Sequence, residues 1–139
     1  MYNSKKSMRS RYGQHITSAS KRGIETNLSY AEFFELKTGD CYYCGIPSIY
    51  LSFYSEHMNV KTPWITIDRK DPSECYDRDN CVPACFLCNK LKSNFFTEKE
   101  FLEIAKKYIK PKWEKYTDDV EYDFEEWSYW EGDLDENWD

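Results

Sequence analysis

Histidine is scarce in this chain: His15 and His57 are the only two among 139 residues. Imidazole chemistry, whether as metal ligand or as general base, is confined to those two positions. No apolar run approaches the roughly 20 residues that a transmembrane helix requires, which argues against a helical membrane span, and no membrane partner is expected. The N-terminus is polar and no secretory signal is visible, so the expectation is an intracellular, reducing compartment: cytoplasm, nucleus or organelle matrix. Internal repeats are absent as well, which excludes solenoid and propeller architectures. After Lys115 there is no further lysine or arginine.

What is present starts with cysteine. Four of the six cysteines form two CxxC pairs, Cys41-Tyr-Tyr-Cys44 and Cys85-Phe-Leu-Cys88. A two-residue spacer lets both sulfurs of such a knuckle turn toward one ion, and four thiolates suit tetrahedral zinc. Two disulfides, or four unrelated core thiols, are the alternatives, and a disulfide needs an oxidising compartment. Cys75 and Cys81 are left over and read as two buried free thiols. A simple zinc ribbon separates its knuckles by roughly 15–20 residues, whereas 40 residues separate Cys44 from Cys85. That stretch reads as strand, loop, strand, helix. Trp64-Ile65-Thr66-Ile67 suits a half-buried strand, Lys70-Asp71-Pro72-Ser73 is turn chemistry, and Asn80-Cys81-Val82-Pro83 is a short second strand. The helix from Cys85 carries the second knuckle at its start, with Lys90, Lys92 and Ser93 expected near its exposed end.

The remaining elements follow from periodicity and caps. Ser4 to about Arg22 reads as a helix with Met8, Tyr12, Ile16 and Ala19 on one stripe and Gly23 as its stop. Ser29-Tyr-Ala-Glu32 is a capping box, predicting a helix from Tyr30 to Lys37 with Phe33, Phe34 and Leu36 in the core. Thr97-Glu-Lys-Glu100 is a second one, opening a helix to about Lys110 that Pro111 is expected to end. The chain is short enough for one domain, and at 40% hydrophobic and 18% aromatic its core is modest. A bound zinc would add the stability that such a core lacks.

The net charge of −6 hides two opposite parts. Residues 1–116 carry 19 basic and 14 acidic side chains, whereas residues 117–139 carry 11 acids and no Lys or Arg. The body, at +5, suits a polyanionic partner. Lys5, Lys6, Arg9, Arg11, Lys21 and Arg22 cluster early. In the tail, acids alternate with Tyr122, Phe124, Trp127, Tyr129, Trp130 and Trp138. Three readings stand: a solubilising disordered tail, a segment docking on a protein partner or on the chain's own basic face, or an imitation of DNA.

Lys21-Arg22-Gly23, Cys41-x2-Cys44-Gly45, Ile67-Asp68-Arg69, Asp79-Asn80 and Cys85-x2-Cys88-Asn89-x2-Lys92 together resemble the HNH endonucleases. These have the His-Me finger or ββα-metal fold, and the resemblance covers roughly residues 20–110. It implies that Asp68 and Asn89 help hold one divalent ion and that Asn80 is the orienting asparagine. At the position of the family's general-base histidine stands Arg69. A guanidinium has no acceptor and cannot take a proton from water, though it can grip a phosphate bidentately. Catalysis would then need another base, His57 being the candidate, or water ionised directly by the ion.

The expected fold class is therefore α+β: a small zinc-stabilised ββα-metal core with flanking helices and an acidic C-terminal tail. The expected division is a basic N-terminal helix (1–25), an HNH-like zinc domain (26–110) and an acidic aromatic tail (111–139). The resemblance implies an endonuclease with Asp68, Arg69, Asn80 and Asn89 as catalytic residues and Mg2+ or Mn2+ as catalytic ion. Cys41, Cys44, Cys85 and Cys88 would be ligands of structural Zn2+. Lys21, Arg22, Arg69, Lys90 and Lys92 would contact nucleic acid, with DNA placed ahead of RNA. A catalytically inactive HNH-fold module, serving a larger nucleoprotein assembly, is the alternative, and the acidic tail is a candidate site for a protein partner.

Overall fold

A computed structural model of the chain describes residues 7–59 and 64–118. Most of the acidic tail, residues 119–139, lies outside the described residues, as do Lys5 and Lys6. Helix α1 (Met8–Lys21) starts at Ser7, whose side chain accepts from the Ser10 N–H. It is followed by Gly23 at φ +70°, a left-handed conformation that glycine adopts without the penalty of a Cβ. Its inward face is Met8, Arg11 and Ala19, while Ile16 is 42% exposed and off the expected stripe. Helix α2 (Tyr30–Lys37) has the capping box read from the sequence: Ser29 and Glu32 each accept from the other's backbone N–H. Phe33, Phe34 and Leu36 are buried as expected.

Helix α3 (Ser48–His57) was not expected. Its entry is N-capped by Pro47 with no side-chain hydrogen bond, so it lacks the start signal that gave away α2. Strands β1 (Thr66–Arg69) and β2 (Cys81–Ala84) form one antiparallel hairpin, displaced by two residues and one residue from the expected strands. The register pairs Thr66 with Ala84 and Asp68 with Val82. Helix α4 (Phe86–Lys92) follows directly and packs on both strands.

Helices α5 (Glu98–Ile104) and α6 (Lys110–Asp118) are joined by a π-helical turn, Ala105–Ile109. Pro111 therefore does not end the helix, contrary to expectation. A proline inside a helix removes one N–H and crowds the carbonyl four residues back; the wider π turn immediately before it makes room, with the Lys110 N–H reaching back to the Ala105 carbonyl. Packing holds the far side in place. Trp113 is 7% exposed, its Nε1 donates to the Cys44 carbonyl at 3.0 Å, and the Tyr116 hydroxyl donates to the Phe53 carbonyl. The expected boundary at residues 110–111 thus falls inside a continuous helix.

The largest buried cluster surrounds the four knuckle cysteines, with Tyr43, Ile46, Leu51, Ile65, Phe101 and Trp113 among its members. Two smaller clusters lie between α1, α2 and the hairpin, and Ile67 packs against both. Among the described residues no helix is long and apolar enough to cross a membrane.

Candidate metal and phosphate site

The two knuckles meet. The Sγ atoms of Cys41, Cys44, Cys85 and Cys88 all lie within 4.8 Å of one another and all four residues are buried. Cys44 Sγ and Cys85 Sγ are 3.8 Å apart. A tetrahedron with zinc–sulfur bonds of about 2.3 Å has edges of about 3.8 Å, so the donor set and its spacing fit zinc. Each knuckle is a tight turn: the Cys44 N–H donates to Cys41 Sγ and the Cys88 N–H to Cys85 Sγ. Gly45 closes the first turn at φ +78°, donating to the Cys41 carbonyl. Cys85 also N-caps α4, so one sulfur serves both the knuckle and the helix. Hydrogen bonds donated to Cys41 and Cys44 are the main cause holding the Cys85 and Cys88 thiols above their ordinary range. Four thiols this close cannot all ionise without a cation among them.

The second site lies between hairpin and α4. Residues 66 and 68 of β1 share one face because side chains alternate along a strand. Residues 89 and 92 of α4 share one face because they are three apart on a helix. Packing these faces makes two rungs. In the first, Asn89 Nδ2 donates to Thr66 Oγ1 at 2.8 Å, and that hydroxyl donates to the Ala84 carbonyl. In the second, Lys92 Nζ lies 3.3 Å from Asp68 Oδ2. The Tyr43 hydroxyl, from inside the first knuckle, donates to the same Oδ2 at 2.6 Å.

This overturns the expected exposure of Lys92. It is 0% exposed, and its ammonium also donates to the Arg69 carbonyl at 3.3 Å. A lysine is rarely buried unless paired, and Asp68 supplies the pairing. Burial holds the Asp68 carboxyl above its usual range, only partly opposed by the Tyr43 hydrogen bond and the Lys92 charge. Tyr43 is pushed up by its own burial and by Asp68.

A cleft of about 310 Å³ opens over these rungs, lined by Arg22, Asp68, Arg69, Tyr76, Asn89 and Asn94 among others. Arg69 is held in its own loop: Nη1 donates to the carbonyls of Pro72 and Glu74, and the guanidinium lies 5.1 Å from the Tyr76 ring centroid. The Tyr76 hydroxyl accepts from Arg22 Nη1 at 3.0 Å, so one tyrosine positions both arginines. These loop hydrogen bonds of Arg69 use Nη1 alone, and a guanidinium has further N–H donors.

Of the residues singled out by sequence, Asp68, Arg69, Asn89 and Arg22 meet in this cleft. Asn80 does not line it. Its amide donates to the Asp71 and Cys75 carbonyls and accepts from the Asp71 N–H, so it pins the β1–β2 loop that carries Arg69. Lys21 and Lys90 are exposed on α1 and α4, outside the cleft lining. His57 is stacked on Tyr116, 4.3 Å between centroids, in the α3–α6 packing and is not part of the cleft. His15 packs edge-on against Tyr76, with burial and the charges of Lys37 and Arg22 lowering its pKa. Of the left-over thiols, Cys81 is buried as expected and burial pushes it up to about 12, while Cys75 is only half-buried. Sequence reasoning missed Tyr43 and Tyr76. The first sits in a knuckle spacer, where the residue type is unconstrained, and the second in a loop without periodicity.

A ββα hairpin-and-helix core beside a four-cysteine cluster compatible with zinc is the arrangement of the HNH fold, and a solved structure is similar. The rare-cutting HNH restriction endonuclease PacI is similar with a TM-score of 0.63 and 28% identity, over 76% of this chain and 78% of that one. The chain thus has the HNH endonuclease fold, as its motifs suggested. In sequence it is similar to the uncharacterized protein R423 of Acanthamoeba polyphaga mimivirus, 32% identical over 88 residues, or 63% of this chain. The chain spans 14% of the length of that relative. No family model matches the chain.

Proposed function

We propose that the chain is a metal-dependent endonuclease acting on nucleic acid, DNA ahead of RNA, with a structural zinc in its four-cysteine cluster. The observation that carries the reading is the meeting of Asp68, Asn89, Arg69 and Arg22 in one cleft of the HNH fold. Tyr43 and Lys92 both engage Asp68 Oδ2, and Asn89 uses its Nδ2 on Thr66, so an oxygen of each remains to hold a divalent ion. Such an ion, when bound, polarises a phosphoryl oxygen and stabilises the leaving oxygen. Arg69 and Arg22 bind the phosphate, Arg69 in a geometry fixed by its loop carbonyls. Asn80 keeps that loop in place. Lys21 and Lys90 steer the polyanion from outside the cleft.

A second reading is favoured by one observation: among the described residues neither histidine lines the cleft, and Arg69 cannot act as a base. On that reading the fold is a catalytically inactive nucleic-acid-binding or structural module within a larger nucleoprotein assembly. Plasmid nicking with Mg2+ or Mn2+ separates the two. The nuclease reading expects nicking by the wild type, none by Asp68→Ala at unchanged zinc content, and weakened nicking and binding by Arg69→Ala. A wild type inert with both ions, made active by Arg69→His, establishes the binding module instead.

A further inference from the structure

The cleft is short of negative charge for a site that takes a divalent cation. Among its lining residues Asp68 is the single carboxylate, and Arg22 and Arg69 face the same space. Behind it the Lys92 ammonium is fully buried at 3.3 Å from the Asp68 carboxylate. Three fixed cations therefore surround one anion before any metal arrives. Lys92 cannot swing away, because it is enclosed and also bonded to the Arg69 carbonyl. Asp68 needs no divalent ion to be satisfied, since Tyr43 and Lys92 already hold it. Mg2+-type ions bound through one or two protein oxygens complete their shell with water and substrate phosphates. Here that phosphate also brings the missing negative charge.

Resting on the nuclease reading above, we propose that metal loading at Asp68 is gated by the phosphodiester. The ion binds weakly to the free protein, and tightly once an anionic phosphate lies against Arg22 and Arg69. By linkage the ion tightens the phosphodiester by the same factor. Lys92 is the residue that sets the gate: it holds Asp68 ready while opposing a lone cation. The consequence is a protein that does not hold a reactive ion in its cleft away from nucleic acid.

The test uses the zinc-loaded full chain and Mn2+, with free Mn2+ followed by electron paramagnetic resonance. Titrations are run without and with a short duplex oligonucleotide whose phosphorothioate linkages resist cleavage, and Asp68→Asn in each state gives the background. The Asp68-dependent site is expected to be at least tenfold tighter with the duplex, and Lys92→Met is expected to tighten the site of the free protein and shrink the difference. Equal Mn2+ affinity in the two states overturns the gating alone. No Asp68-dependent Mn2+ site in either state overturns the metal-dependent reading with it. The wild-type pair of titrations decides the matter even if Lys92→Met does not fold.

Discussion

Replacing Lys92 with methionine tests the buried pair at the centre of the molecule. The Lys92 side chain is 0% exposed and that of Asp68 8%, and they are 3.3 Å apart. Methionine keeps most of the volume and removes only the charge, so packing is nearly conserved. What remains is a carboxylate in a buried position with the Tyr43 hydroxyl as its one side-chain partner. Breaking a buried pair from one side costs about 3–5 kcal/mol, because the other charge is left without compensation. Against a domain stability of about 5–15 kcal/mol that is a large fraction. At about 4 °C per kcal/mol for a domain of this size, Tm should fall by roughly 12–20 °C. The double variant Asp68→Asn with Lys92→Met removes both charges and should regain most of the loss. Thermal unfolding of the zinc-loaded wild type, both single variants and the double variant measures the cycle. A Lys92→Met protein that melts with the wild type, or a double variant no more stable than Lys92→Met, refutes the reasoning.

Other outcomes follow from the same structure. Cys85→Ser should lose the zinc and with it most of the fold, because it removes one of four cluster sulfurs while the serine hydroxyl can still cap α4; a folded, zinc-free Cys85→Ser protein counts against a metal in the cluster. Trp113→Ala should cost about 3–5 kcal/mol by leaving a cavity against the knuckle, so a chain ending at 110 should melt far below one ending at 118, as circular dichroism can read. Burial, reinforced by Arg11, depresses the Lys37 amine from 10.5 to about 7. The unfolded chain therefore holds that proton where the folded one has lost it, and the Lys37 contribution to stability rises as pH climbs above about 7. Lys37→Met should flatten that rise between pH 7 and 9 in urea titrations, below the range where Cys81 begins to oppose it.

The sequence by itself determined the parts of this protein that depend on local spacing. Each CxxC specifies a knuckle because two residues are what the turn needs, and Ser29-x-x-Glu32 and Thr97-x-x-Glu100 specify helix starts because the reciprocal bonds span that distance. The order of hairpin and helix, and the meeting of Asp68, Arg69 and Asn89, were legible through the motif. Tertiary structure decided what local spacing does not encode. Lys92 reads as an exposed helix-end lysine until the hairpin register brings Asp68 against it. Pro111 reads as a stop until Trp113 finds the Cys44 carbonyl across the core and a π turn absorbs the missing N–H. Tyr43 and Tyr76 carry no pattern at all, and their roles arise only where a hydroxyl from one element meets a charge on another. A charge buried by its partner, and a helix continued by its packing, are properties of two segments at once. No window along one segment contains them.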